Sequence, residues 1–523
     1  PGDGGAMAPR SALWAALLAA APAAGVGSAV VECLRGKLSS VVAPGEPAYN
    51  DARRCKNTRV DITPRPVAVV RVSTSHQVQL AVRCAAAHGV QACARAGAHG
   101  FENDAGCTGG VAIDLQDLTD MRVNNATKEV NFGPGNTLGQ LYYRLKVEHD
   151  LVVPGGAESG VGASGLFLGC GRGMLTQLHG LACDAIRGVG YVDARGDWKF
   201  ANNQVNPDML WMAKGGGGTF PGIVTNFIVQ AFDAPGVLHG RDCTVPASRA
   251  KPLIKAWLRR LEEMSNPKHQ MFTHIILWNS QFVKFPNLCF DCNPEQLRWF
   301  ESTVDAIAAE AGSASCNTFS RSWFSQLLFE AGVDRGVIEN NPAALKDRHQ
   351  GYGELGPAKA SKNGGYLSTS YELPDAFYDT LTNWTFGELD EAKYPWSVLV
   401  LLYNLGGPKI SRVPKGATAY GGRDAKFVVH FKHQWDEASL SSHRDLTRHH
   451  RGMSRALEAY LPCRGFYNYM DGQMPCAHGG PDRWAQAFFG DVPRMQRIKA
   501  AADPQGVFWS RLPPARPLAA VAG

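Results

Sequence analysis

Val90-Gln91-Ala92-Cys93-Ala94-Arg95-Ala96-Gly97-Ala98-His99-Gly100 reads as a strand that passes directly into a tight loop of small residues. Upstream, residues 67–72 form a β-branched run, and Val78, Ala81, Val82 and Ala85 recur at helical spacing until Gly89 stops the helix. Strand, helix and second strand (90–95) make a βαβ unit, which implies a parallel pair joined by a right-handed crossover. In the loop that follows, glycine and small residues allow the backbone to lie close against a ligand.

Further glycine-rich chain is concentrated rather than scattered. Pro154-Gly155-Gly156 leads into Gly160-Val161-Gly162-Ala163-Ser164-Gly165 and then Gly169-Cys170-Gly171-Arg172-Gly173. A third stretch, Lys214 to Gly218, has four consecutive glycines ahead of Gly222-Ile223-Val224-Thr225. Such segments suit a diphosphate, because successive backbone N–H groups can reach the anion with no side chain in the way. They match neither the P-loop, which needs GxxxxGK before Ser or Thr, nor a GxGxxG that opens a helix after a first strand.

From about Pro246 the texture changes. Strand-like runs at 272–278, 396–403 and 426–431 alternate with longer amphipathic helices, which reads as an antiparallel sheet covered by helices. The chain closes with Phe466-Tyr467-Asn468-Tyr469-Met470-Asp471, then Phe488-Phe489-Gly490 and a basic helix through Arg494, Arg497 and Lys499. At 523 residues two domains are expected, and 45% apolar with 19% charged residues is an ordinary folded composition. A net charge of +6 without a basic cluster argues against a nucleic-acid partner.

Near the start, Met7, Arg10, the apolar run from Ala12 to Ala24 and Gly27-Ser28-Ala29 read as a signal peptide over 7–29, cleaved after Ala29. This predicts a secreted, extracellular protein with no membrane attachment once the signal is removed. Thirteen cysteines suit an oxidising compartment and leave at least one unpaired. Cys289 and Cys292 form a lone CxxC, read as a local disulfide or two unrelated cysteines, and no metal site is expected. The triplets Asn125-Ala126-Thr127 and Asn383-Trp384-Thr385 are glycosylation acceptors in such a protein.

In this order, the loop at 95–99, the glycine region 154–173, Asp208-Met209-Leu210-Trp211 ahead of the glycine run, and Tyr467-Asn468-Tyr469-Met470-Asp471 resemble the berberine-bridge-enzyme-like FAD-linked oxidases of the vanillyl-alcohol-oxidase superfamily. The resemblance spans about Cys33 to Leu512. It implies an α+β fold with a two-lobed PCMH-type FAD-binding domain, here 33–245, plus a substrate lobe over 246–463 whose antiparallel sheet is covered by helices. A C-terminal segment, 464–515, would complete the FAD domain. It also implies a disulfide between Cys33 and Cys84. The FAD would be held by Arg95, Ala96, Gly97, Ala98, His99, Gly100, Pro154, Gly155, Val161, Gly162, Ser164, Gly165, Gly171, Gly173, Val224 and Asn468.

Residue by residue, the resemblance gives His99 the place of the histidine that bonds covalently to the flavin 8-methyl carbon. Many relatives add a cysteine tether, but Glu158 stands at that position, so the expected attachment is through His99 only. Ala96 and Ala98 replace the usual serine and glycine of this loop, and Ala98 requires a φ that alanine tolerates. Val161 matches the position where relatives that use dioxygen have valine. Tyr469 matches the catalytic tyrosine that takes the substrate hydroxyl proton as hydride leaves for the flavin. Phenols ionise only near pH 10, so Tyr469 needs a neighbour that stabilises the phenolate, and His430 and Lys432, alternating onto one face of a strand, are the candidates. Asp491 stands where the family has asparagine, with an expected effect of its charge on the site.

The implied activity is transfer of hydride from an alcohol, the anomeric hydroxyl of a sugar or oligosaccharide, to FAD and then to dioxygen, giving hydrogen peroxide, by a monomeric enzyme. Two alternatives stand beside it. The substrate could be an alkaloid or phenolic secondary metabolite, or the chain could be a catalytically weak flavin-binding defence or storage protein.

Overall fold

A computed structural model describes residues 24–330, 345, 360–390, 392–436, 440–478 and 480–512. Residues 7–23 of the expected signal peptide and 513–515 of the expected C-terminal segment lie outside these. The expected cleavage point after Ala29 falls inside a helix, Ala24–Arg35, which buries Val30 and Leu34. Among the described residues, no helix is long and apolar enough to cross a membrane.

The βαβ unit is present with one correction. Ala68–Arg71 and Ala92–Arg95 are parallel strands, but they do not pair with each other; Val111–Asp114 lies between them and pairs in parallel with both. All four residues of that inserted strand are buried, so it takes the centre of the sheet, where both faces are covered. The helix Ser75–Ala87 begins where the Thr74 side chain accepts a hydrogen bond from Gln77 N, and it buries Val78, Ala81, Val82, Cys84 and Ala85 on one face. Cys33 and Cys84 form a disulfide that ties the helix Ala24–Arg35 to this crossover helix.

A second, antiparallel sheet follows, with Met121–Asn124, Glu129–Phe132, Ile223–Gln230, Ile186–Val192 and Trp198–Ala201 in spatial order. The chain returns to the first sheet at its far end. Phe508 bridges Ala92 in parallel, with Ala92 N donating to Val507 O at 2.7 Å and Trp509 N to Ala92 O at 3.2 Å. The C-terminal segment therefore extends the N-terminal sheet beyond the strand that feeds the His99 loop.

Between these segments lies a large antiparallel sheet. Its central strands run Val237–Pro246, Asn287–Phe290, Met271–Trp278, Val398–Asn404, Phe427–Trp435 and Ala360–Ser368. The sheet begins at Val237 rather than at Pro246, because the strand Val237–Pro246 pairs entirely within it. Helices Ala250–Met264, Pro294–Ala311, Asp375–Phe386 and Leu440–Leu457 pack against it and one another. The first of them buries Leu253, Ile254, Trp257, Leu258 and Leu261, the i, i+3, i+4 stripe expected of a helix on a sheet.

Six disulfides are formed among the described residues, including Cys289–Cys292 and Cys170–Cys183, and the buried Cys55 is the thirteenth cysteine.

Candidate active site

A cavity of about 1200 Å³ runs between the glycine loops and the large sheet. The His99 loop is anchored at its root rather than at its tip. Arg95 does not face the cavity: its guanidinium is buried in an ion pair with Asp114 at 2.9 Å and donates to the Arg54 carbonyl. Beyond it, Ala96, Gly97, Ala98, His99 and Gly100 all reach the cavity wall. Gly97 crosses the backbone of Gly162, where an added Cβ would sit 2.4 Å from Gly162 N. Two loops distant in sequence are thereby held in backbone contact.

Ala98 departs from expectation. Its φ is +49°, in the left-handed region that costs a Cβ-bearing residue about 1–2 kcal/mol. Its carbonyl accepts from Lys56 N at 3.0 Å, one of the contacts that hold the turn in place. Ala98→Gly should therefore raise folding stability by about 0.5–1 kcal/mol after allowance for the freer unfolded chain. A denaturant midpoint unchanged or lowered in that variant would contradict the reading.

Of the other proposed flavin contacts, Val161, Gly162, Ser164, Gly165, Gly171, Gly173, Val224 and Asn468 line the cavity, whereas Pro154 and Gly155 do not. Gly155 serves behind the wall, where a Cβ on Gly173 would meet its carbonyl at 1.6 Å. Asn468 Nδ2 donates to Leu166 O at 3.3 Å, and Tyr467 Oη accepts from Gly218 N at 2.8 Å, so the terminal motif pins both glycine regions. Gly100 and Gly165 are different: a Cβ on either would meet no atom within 4 Å, so both keep cavity space clear. A long, glycine-lined cleft kept open in this way fits a dinucleotide such as FAD.

Tyr469 lies on the opposite lobe's side of the site, stacked on His430 with ring centroids 3.8 Å apart and planes 2° from parallel. Tyr403 adds a second ring at 6.3 Å. His430 Nε2 lies 3.0 Å from Asn363 Oδ1, and burial, with Lys432 and Arg172 nearby, pushes its pKa down to about 3. The imidazole is therefore neutral. Lys432 lines the same cavity, two residues along the strand Phe427–Trp435. Two residues beyond Tyr469, Asp471 pairs with the buried Lys362 at 2.9 Å. Burial alone would raise Asp471, but the hydrogen bond from His450 and the Lys362 ammonium hold it well below the usual carboxylate range.

His99 is enclosed by protein while facing the cavity. Burial, with Lys56 and Lys432 adding to it, lowers its pKa to about 4, so it too is neutral. Glu158 sits on the same cavity, and burial raises its carboxyl to about 7 against the opposing pull of Lys432 and Lys56. A raised folded pKa means the wild type and Glu158→Gln are equally stable below about pH 4.5. As pH rises to 7 the unfolded chain ionises first, and the wild type should fall behind the variant by roughly 2–3 kcal/mol. Parallel denaturation profiles at pH 4.5 and 7.5 would refute this.

Asp491 does not enter the site. It is the N-cap of the helix Val492–Ala502, its carboxylate accepting from Arg494 N at 2.9 Å. Sequence reading passed over Arg172, His274, Tyr403 and Glu102, all on the cavity wall. Arg172 was in plain view between two glycines, and the period-two alternation of the strand ending at Asn404 placed Tyr403 on a definite face.

A family model described as "FAD binding domain" matches residues 66–201, and one described as "Berberine and berberine like" matches residues 465–513. These are the two regions that the sheet pairing through Ala92 and Phe508 joins. The chain thus carries both domains that mark the berberine-bridge-enzyme-like FAD-linked oxidoreductases. A carbohydrate oxidase of Microdochium nivale is 26% identical over 518 residues, 96% of this chain and 98% of that protein. A xylooligosaccharide oxidase of Thermothelomyces thermophilus is 24% identical over 489 residues, covering 92% and 93%. The solved structure of berberine bridge enzyme from Eschscholzia californica superposes with a TM-score of 0.78 at 20% identity, covering 93% of this chain and 99% of that one. This FAD-dependent oxidoreductase thus has the two-lobed PCMH-type fold of its family.

Proposed function

We propose that this chain is a secreted oxidase that converts the anomeric hydroxyl of a sugar or oligosaccharide to a lactone while dioxygen becomes hydrogen peroxide, with FAD attached through His99 only. The observation that carries the reading is the Tyr469–His430 stack, set on the same cavity as the glycine loops and His99. When bound, the flavin supplies a two-electron acceptor that dioxygen can reoxidise. Tyr469 accepts the hydroxyl proton, its ring plane held by the neutral His430. Lys432, two residues along the strand from His430, lines the same cavity. Neutral His99 offers an imidazole lone pair for attachment, and Glu158, unlike a cysteine, cannot form a thioether beside it. Val161, the residue that relatives using dioxygen carry at this place, lines the cavity wall. Two electrons and two protons leave the C1–OH unit and are recovered in the peroxide.

The carbohydrate substrates for which the two near-full-length relatives are named support a sugar. Six disulfides and the apolar segment at 12–24 support secretion. The test is peroxide release across a panel of mono- and oligosaccharides, with phenolic alcohols and alkaloids as a second arm. Turnover confined to the second arm would replace the sugar reading. A yellow protein silent in both would be a flavin-binding protein without this activity.

A further inference from the structure

Arg172 is a buried cation without a counter-ion. It is 7% exposed, its Nε has no hydrogen-bond partner, and no carboxylate of the described residues stands within ion-pair distance of it. A buried charge in that state destabilises the fold unless something compensates it. Two aromatic faces do part of this. The guanidinium carbon lies 3.9 Å from the Tyr403 ring centroid and 5.5 Å from that of Phe272, both cation–π contacts. They leave the Arg172 Nε without a hydrogen-bond partner.

The position is also rigid. Arg172 sits between Gly171 and Gly173, in a turn fastened by the Cys170–Cys183 disulfide and by Ala182 N donating to Gly171 O at 2.9 Å. Its side chain lines the cavity, one ring away from Tyr469 through Tyr403. An arginine held this firmly beside the reacting position is preorganised for an anion on the substrate. Because Tyr403 occupies its face, a ligand must approach in the guanidinium plane, which is the bidentate geometry of a planar carboxylate. One arginine also matches the single charge of a carboxylate better than the nearly double charge of a phosphate monoester. Glu158, Asp242 and Glu330 line the cavity as well, but none of them pairs with Arg172.

We infer that Arg172 is the receptor for a substrate carboxylate, so that the preferred substrate is an acidic sugar carrying a uronic acid group rather than a neutral one. This rests on the sugar-oxidase reading and narrows it. Arg172 then determines specificity, while Tyr469 keeps the proton transfer.

The test pairs glucose with glucuronic acid and galactose with galacturonic acid, with glucose 6-phosphate as a third arm, on the flavin-loaded enzyme. The wild type should favour the uronic acids in kcat/KM by about 10- to 100-fold, the scale of a charged hydrogen bond. Arg172→Gln should abolish that preference mainly through KM, and Arg172→Lys should restore part of it. Equal or better turnover of neutral sugars by the wild type would overturn the inference, as would a preference for the phosphate. Loss of both substrate types by the same factor in Arg172→Gln, or a shifted flavin potential with unchanged preference, would assign the cation to the flavin instead.

If no sugar is turned over, the oxidase reading fails and the inference is read separately, by titrating the oxidised flavin spectrum. Saturable perturbation by glucuronate, absent with glucose and lost in Arg172→Gln, would sustain the carboxylate site. No perturbation by glucuronate would end it. The wild-type comparison needs no variant, so it stands even if Arg172→Gln fails to fold.

Discussion

Tyr469→Phe is expected to slow flavin reduction by about 10²- to 10⁴-fold while leaving flavin content and fold unchanged, the scale of a lost general base. Phenylalanine keeps the ring, so the stack on His430 at 3.8 Å and the contact with Tyr403 at 6.3 Å both persist. Only the hydroxyl proposed to receive the substrate proton disappears. Stopped-flow reduction under anaerobic conditions isolates this step from reoxidation, which should proceed at the wild-type rate. Wild-type reduction by the variant would show that Tyr469 is not the base, and Lys432, on the same cavity, would be the next group to replace.

The second large effect is expected from His99→Ala. Acid precipitation of the wild type should leave the yellow colour in the pellet, with the flavin mass on a peptide containing His99. Precipitation of the variant should release all of it to the supernatant. Glu158 occupies the position from which a second attachment would come, so no partial retention is expected. A noncovalent cofactor stabilises by mass action, so the apparent Tm of His99→Ala should rise with added FAD while that of the wild type should not. Colour retained in the variant pellet, or free flavin from the wild type, would remove the proposed tether.

Much of the architecture was legible before any coordinates. The helix over 75–87 was readable from Val78, Ala81, Val82 and Ala85 because one buried face imposes a helical period. The strands at 271–278 and 398–404 were readable as strand-like runs at 272–278 and 396–403, long enough and rich enough in aromatic and branched residues to stand out. Val111–Asp114 was not: four buried residues in a row show no alternation, so the strand that separates the two expected partners left no periodic signature. The boundary at Pro246 fell at the end of the strand Val237–Pro246 rather than at its start, because a strand's local pattern is the same whichever sheet receives it.

By itself, the sequence determined which segments reach the cavity and which residue types they carry: small-residue loops at 95–100, 154–173 and 214–225, with His99 on the first and Glu158 on the second, and Tyr469 in the C-terminal motif. Backbone freedom and side-chain chemistry are properties of the residue, so they can be read without knowing its neighbours. Only the tertiary structure decided what each does. It turned Gly100 and Gly165 toward open space while packing Gly155 against Gly173, and it buried Arg95 on Asp114. It made Asp491 a helix cap, forced Ala98 to a φ of +49°, and left Arg172 on the cavity wall with no ion-pair partner among the described residues. Those outcomes depend on contacts between segments up to hundreds of residues apart, where burial and the nearest charge, rather than residue identity, set conformation and protonation.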